Sequence, residues 1–94
     1  MTGKKLMTKL DILRKQIDMI DEKILTALAK RMEIVRKIGK FKKERKISTF
    51  DKKRWQEMVT TNVKRGEAVG LPKNFIKNLL SLIHKYSLEI QEKS

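Results

Sequence analysis

Apolar residues recur every three or four positions over one long stretch, residues 6–45, which contains no proline. This spacing is typical of one face of an α-helix and predicts a first helix of about forty residues. Residues 1–5, which precede the pattern, are expected to fray. The predicted apolar stripe comprises Leu6, Leu10, Leu13, Ile17, Ile20, Ile24, Leu28, Val35, Ile38 and Phe41.

A second amphipathic segment predicts a helix over about residues 49–64. Ser48 and Asp51 have the spacing of a capping box at its start, with aspartate as the third member. The apolar side of this helix consists of Trp55, Met58, Val59 and Val63.

A third helix is predicted after a turn that Gly66 and Gly70 bracket, with Pro72 at its first position. It runs to about residue 92, and its stripe consists of Phe75, Ile76, Leu79, Leu80, Ile83, Ser87 and Ile90. The pattern as a whole therefore predicts an all-α chain of three helices, with a very long first helix and one domain over residues 1–94.

The length of the first helix predicts an oligomer. Forty residues form a rod of roughly 60 Å, whereas a compact chain of 94 residues has a radius of gyration of only about 12–13 Å. Since the rest of the chain is too small to cover such a rod, we expect a homodimer in which long helices lie side by side.

Composition narrows the classes of function. The chain has no cysteine and one histidine, His84, so disulfides are excluded and a thiolate or histidine metal site is not expected. No segment has the apolar run of a signal peptide or a membrane span, which predicts a soluble cytoplasmic protein. The net charge of +13 indicates an anionic partner, although the spread of the lysines also suits a solvated surface.

Two cations interrupt or extend the first stripe. Arg31 lies on it between Leu28 and Val35, and Lys42 follows after about three helical turns on the same face. Because a buried cation without a partner is unfavourable, their position indicates an anionic ligand. A pair between Arg31 and a glutamate is the structural alternative.

Other polar residues lie beside the predicted stripes. Arg14 adjoins the first, Asp51 and Arg54 lie one turn apart on the second helix, and Ser87 and Gln91 replace apolar residues on the third. Asp51 and Arg54 could also form an ordinary ion pair.

These candidate residues are rich in hydrogen-bond donors, namely arginine, lysine, hydroxyl and amide groups. Such donors suit a small ligand with more than one carboxylate. The chain has no Ser-His-Asp set and no glycine-rich phosphate loop, so an enzyme of this kind would stabilise charge with placed donors. Arg14 lies about 25 Å from Arg31 along the helix, and we therefore expect it to reach the site of a partner chain.

The order and spacing of these residues resemble the all-helical chorismate mutases from about Leu6 to Gln91. The matching motifs are Leu13-Arg14, Ile17-Asp18, Ile20-Asp21, Ile24, Leu28, Lys30-Arg31, Ile38-Gly39-Lys40-Phe41-Lys42, Asp51-Lys52-Lys53-Arg54, Ser87 and Gln91. The resemblance implies an intertwined homodimer and a cofactor-free Claisen rearrangement of chorismate to prephenate, in phenylalanine and tyrosine biosynthesis.

The resemblance also implies roles for individual residues. Arg14 of the partner chain and Arg31 would bind carboxylates, and Arg54 and Ser87 would help to orient the substrate. The remaining roles concern the ether oxygen and the ring hydroxyl, and they fall to Lys42, Gln91 and Asp51.

Lys42 and Gln91 would donate to the ether oxygen, where negative charge grows in the transition state. Asp51 would contact the ring hydroxyl. Some relatives have a glutamate directly after the residue that matches Arg54, and this chain has Trp55 there. Hydroxyl recognition would then rest on Asp51, on backbone or on water. Because the amide of Gln91 needs no added proton to donate, kcat should be nearly flat from about pH 5 to 8.

Three alternatives remain open at this point. The chain also resembles the isochorismate–pyruvate lyases, which share this fold and carry a similar set of donors. A basic helical module that binds nucleic acid would explain the charge, but the sequence has no recognisable helix-turn-helix pair and no single basic stripe. A purely structural coiled coil would be weakened by Arg31, Ser87 and Gln91 in its seams. We therefore expect a dicarboxylate substrate and no nucleic acid or membrane partner.

Overall fold

The computed structural model describes the backbone of residues 2–94 and the side chains of residues 8–94. It contains three α-helices, α1 (Thr2–Glu44), α2 (Lys52–Ala68) and α3 (Lys73–Lys93), and no strand among the described residues. The predicted all-α class, with three helices and a very long first one, is therefore confirmed. The chain divides into two units, Met1–Glu33 and Ile34–Ser94.

The first unit consists of the N-terminal part of α1. The helix is assigned from Thr2, earlier than the predicted start at Leu6. Fraying of residues 1–5 stays a prediction, and Met1 and the side chain of Leu6 lie outside the described part. The apolar stripe is present but exposed within this unit, with relative exposures of 47% to 57% at Leu13, Ile17, Ile20 and Ile24.

The end of α1 lies in the second unit and closes with a Schellman motif. The backbone N–H of Ile47 donates to the carbonyl of Lys42 at 2.8 Å, and that of Lys46 donates to Lys43 at 3.3 Å. Lys46 has φ of 55°, the left-handed conformation that this motif requires. The motif turns the chain back so that residues 47–51 run toward the start of α2.

The predicted start of α2 was wrong. The helix begins at Lys52 rather than Thr49, and its N-cap is Asp51, not Ser48. Ser48 Oγ instead accepts from the backbone N–H of Phe50 and donates to the Phe50 carbonyl, both at 3.3 Å. The capping box predicted from Ser48 and Asp51 is therefore absent from this part of the described chain.

Helix α2 extends past the predicted end at residue 64 and also closes with a Schellman motif. The N–H groups of Leu71 and Gly70 donate to Gly66 and Glu67 at 2.9 and 3.1 Å, and Gly70 has φ of 90°. Gly66, predicted as part of the turn, lies inside α2 instead. A Cβ at Gly66 would overlap the side chain of Ile76, so this glycine allows α2 and α3 to pack closely.

Helix α3 begins at Lys73. Pro72 is its N-cap and not, as predicted, its first helical residue. The core of the second unit consists of apolar side chains from all three helices together with one hydroxyl. These buried residues are Val35, Val63, Ile76, Ser87 and Ile90. Of the predicted stripe of α3, Ile76, Ser87 and Ile90 are thus buried, whereas Phe75 and Leu79 are exposed.

Candidate functional site

The two units divide the residues that the sequence predicted for the site. Arg14 and Arg31 belong to the first unit, where Arg14 is exposed and Arg31 is half-buried. The second unit holds the others, namely Lys42, Asp51, Arg54, Ser87 and Gln91. A common pocket for both arginines and these residues stays a prediction.

Lys42 lies in the last turn of α1 and is half-buried. Its Nζ donates to the carbonyl of Thr49 at 3.0 Å, which ties the segment between α1 and α2 to the end of α1. An ammonium group has three donor hydrogens, so two of them are left for a ligand beside this contact.

The side chain of Asp51 is hydrogen-bonded to the backbone of Arg54. One oxygen of Asp51, Oδ1, accepts from the backbone N–H of Arg54 at 3.0 Å, and the Asp51 carbonyl accepts from Trp55 N–H at 3.0 Å. Both side chains are exposed. Asp51 is therefore a helix cap first, and its negative charge is favourable at the N-terminus of α2.

Replacing Asp51 by alanine should destabilise the fold by about 1 kcal/mol, because the Arg54 N–H would lose its acceptor. Asp51→Asn keeps an oxygen in the same place and should stay within about 0.5 kcal/mol of the native stability. Urea unfolding at one fixed protein concentration measures both. Equal losses in the two variants would show that the cap is not the source of the effect.

Ser87 and Gln91 lie one turn apart on α3, so they share a face. Ser87 is only 3% exposed, and its Oγ donates to the carbonyl of Ile83 at 2.7 Å. Its single hydroxyl proton is thus engaged by the helix backbone, and donation to a ligand would require the hydroxyl to rotate.

Gln91 lies where the end of α1 and α3 touch. A Cβ built on Gly39 would come within 2.8 Å of the Gln91 Cα and 3.0 Å of its carbonyl oxygen. The Oε1 atom of Gln91 is buried and has no hydrogen-bond partner among the described residues. Lys42 follows Gly39 by one turn of α1, so the lysine begins from the helix surface next to this contact.

A buried amide oxygen without a partner costs about 1–3 kcal/mol. Rotation of the amide by half a turn exchanges its oxygen and its nitrogen, so the same buried position can offer a donor to a ligand. The contact of Gly39 with Gln91 thus joins the end of α1, which carries the half-buried Lys42, to the end of α3, which carries an amide with unused hydrogen-bonding capacity.

Sequence reasoning missed an aromatic cluster beside these residues. Trp55 stacks on His84, with ring centroids 4.1 Å apart and planes at 27°, and Phe50 lies 5.7 Å from the same imidazole. The cluster joins the first turn of α2 to α3. Residues 50, 55 and 84 share no helical spacing, so nothing in the sequence pattern could have predicted it.

Among residues 8–94, no group of three or more metal-ligating side chains lies close enough to hold an ion. Within the described chain, none of the helices combines the length and the apolar character that crossing a bilayer requires.

The described chain is all-helical, and its second unit carries the candidate donors Lys42, Arg54 and Gln91. A family model described as chorismate mutase type II matches residues 13–92, and the chain belongs to this family. A curated relative, the T-protein of Enterobacter agglomerans, is 32% identical over 82 residues. The matched region makes up 87% of this chain but 22% of the T-protein, so the chain spans only a small part of that relative's length.

Proposed function

We propose that the chain is a chorismate mutase, which converts chorismate to prephenate without a cofactor in the biosynthesis of phenylalanine and tyrosine. The observation that carries this proposal is the family match over residues 13–92, because it includes every position of the donor set. The roles of the individual residues, and the homodimer that would complete the site, are part of the same proposal.

The proposed reaction is an intramolecular rearrangement. The ether C–O bond of chorismate breaks while a new C–C bond forms, and no group enters or leaves. Because negative charge grows on the ether oxygen, a donor that is placed there stabilises the transition state more than the substrate. A site made of donors can therefore catalyse the step without a nucleophile or a general base.

Lys42 and Gln91 are the residues that we assign to the ether oxygen. Lys42 has donor hydrogens beyond the one used by Thr49, and the buried amide end of Gln91 has unused hydrogen-bonding capacity. The contact of Gly39 with Gln91 supports their joint action, since it brings the ends of α1 and α3 together. The nearly flat pH dependence expected for an amide donor stays a prediction.

The two carboxylates of the substrate are assigned to arginines. Arg31 would bind one carboxylate from its own chain, and Arg14 of a partner chain would bind the other. The exposed stripe of Leu13, Ile17, Ile20 and Ile24 supports a homodimer, because monomers rarely expose a continuous apolar surface of this extent. Arg14 adjoins Leu13 and would lie at such an interface.

The remaining polar residues would orient the substrate. Arg54 is exposed at the first turn of α2, where its guanidinium could bind a carboxylate. Asp51 would contact the ring hydroxyl with the carboxylate oxygen that does not cap the helix, and Ser87 would help after its hydroxyl turns away from Ile83. Trp55 is stacked on His84, and because an indole offers only an N–H donor, it cannot supply the carboxylate that some relatives use.

Loss of chorismate absorbance on addition of the purified protein, with the product identified by chromatography, tests the proposal. We expect prephenate as the product and no change on treatment with a chelator. Turnover of isochorismate to pyruvate and salicylate, without turnover of chorismate, would assign the chain to the lyase reaction instead. Inactivity with both substrates would overturn the proposal and make salt-dependent nucleic-acid binding the next measurement.

A further inference from the structure

Gly39 is buried within α1, where it lies against the backbone of Gln91 in α3. A Cβ at this position would lie 2.8 Å from the Gln91 Cα, 3.0 Å from the Gln91 carbonyl oxygen and 3.1 Å from the Ser94 Cβ. Two of these three atoms belong to the backbone of α3 and cannot rotate away. Any residue larger than glycine would therefore push the two helices apart.

We propose that Gly39 is a positioning residue, which sets the distance between the Lys42 ammonium group and the Gln91 amide. This inference rests on the proposed function, since it concerns the two donors assigned to the ether oxygen. Gly39 touches no substrate atom in this proposal. It acts by allowing the backbone that carries Gln91 to lie directly against the turn of α1 that precedes Lys42.

Gly39 is close in the structure to both residues that carry the donors. Gln91 is itself the residue in contact, and Lys42 lies one turn after Gly39 on the same face. Donors to a developing oxyanion act over a narrow range of about 2.7–3.1 Å. A shift of the helices by a few tenths of an ångström would be passed directly to the Gln91 backbone, because no loop lies between the contact and this residue.

Glycine is also an unfavourable residue inside a helix compared with alanine. A helix that needed no close approach at this point would gain stability from alanine. The burial of Gly39 against the Gln91 backbone therefore gives a reason for a residue that α1 alone would not favour.

Gly66 provides a matched control within the same unit. It is also a helical glycine in tight contact, but its neighbour is the side chain of Ile76. It lies about 18 Å along α2 from Arg54 at 1.5 Å per residue. Alanine at Gly66 should disturb packing between α2 and α3 to a similar extent without moving Lys42 or Gln91.

The test compares Gly39→Ala with Gly66→Ala by steady-state kinetics with chorismate and by thermal unfolding. We expect kcat of Gly39→Ala to fall by at least about tenfold, in line with the sensitivity of rates to small displacements, while KM changes by less than about twofold. Gly66→Ala should keep the native kcat at temperatures where it is folded. In a Gln91→Ala background, Gly39→Ala should have little further effect on kcat, because the donor it displaces is gone.

Equal kcat values for Gly39→Ala and the native protein would overturn the inference, as would a fully additive loss in the Gln91→Ala background. If Gly39→Ala does not fold, Gln91→Asn decides, since it withdraws the amide by one methylene and leaves the glycine contact intact. Native kcat in Gln91→Asn would show that the placement is not critical and would also overturn the inference. Absence of turnover in the native protein would instead remove the proposed function, so the two failures are distinguishable.

Discussion

Replacement of Lys42 by alanine is expected to lower kcat by about 10²–10³-fold, the range seen when one donor to a developing oxyanion is removed. The proposed bond to the ether oxygen strengthens as the C–O bond breaks, so the loss should be larger in kcat than in KM. Lys42 is half-buried and its ammonium group is held by Thr49 at 3.0 Å, which places the charge before the substrate arrives. Steady-state kinetics with chorismate measures both parameters.

Lys43→Ala is the matched control for this prediction. It removes the same charge from the next residue, where the side chain is exposed and its Nζ donates to the Ser94 carbonyl at 3.1 Å. A surface contact of this kind contributes little, so we expect kcat to stay within about twofold of the native value. If both variants lose activity equally, the effect belongs to the overall positive charge and Lys42 has no special role.

The helices could be predicted from the sequence because each has a periodic apolar face. The spacing in α3 predicted a stripe that is buried at Ile76, Ser87 and Ile90. It also predicted that a serine would replace an apolar residue there. Periodicity of this kind is a local property, and it is determined by the chain itself.

The start of α2 could not be predicted, because two side chains in the connection are able to cap a helix. A helix that began at Thr49 would need the Thr49 carbonyl to bond within the helix. That carbonyl accepts from Lys42 instead, and the Asp51 carboxylate caps the helix. The residue at which α2 begins therefore depends on a contact with α1, which local sequence preferences cannot predict.

The arrangement of the candidate site was only partly predictable. A glycine inside a helix either admits another backbone or weakens the helix, and at Gly39 the contact with the Gln91 backbone favours the first. The stacking of Trp55 on His84 depends on how α2 meets α3, which no spacing in the sequence reveals. The joint action of Arg14 and Arg31 stays a prediction, because it depends on a second chain.

A heterodimer of one Arg14→Ala chain and one Arg31→Ala chain is expected to recover about half of the native activity per dimer, although each homodimer is nearly inactive. In a two-fold symmetric dimer with Arg14 acting in trans, one site contains both native arginines and the other contains neither. Co-expression with two different affinity tags, followed by sequential purification, isolates the heterodimer. Activity as low as that of the homodimers would contradict the shared site.

The reverse arrangement of the same two substitutions is the sharper control. When the Arg14→Ala and Arg31→Ala substitutions are on one chain and the partner is native, each site of the heterodimer lacks one arginine, so this dimer should be nearly inactive. If Arg14 acted within its own chain, the native chain would keep an intact site and this heterodimer would retain about half of the activity. The two heterodimers contain the same substitutions in total, so differences in stability or charge cannot account for opposite outcomes. Their comparison therefore decides whether the exposed stripe of α1 brings Arg14 to the site of a second chain.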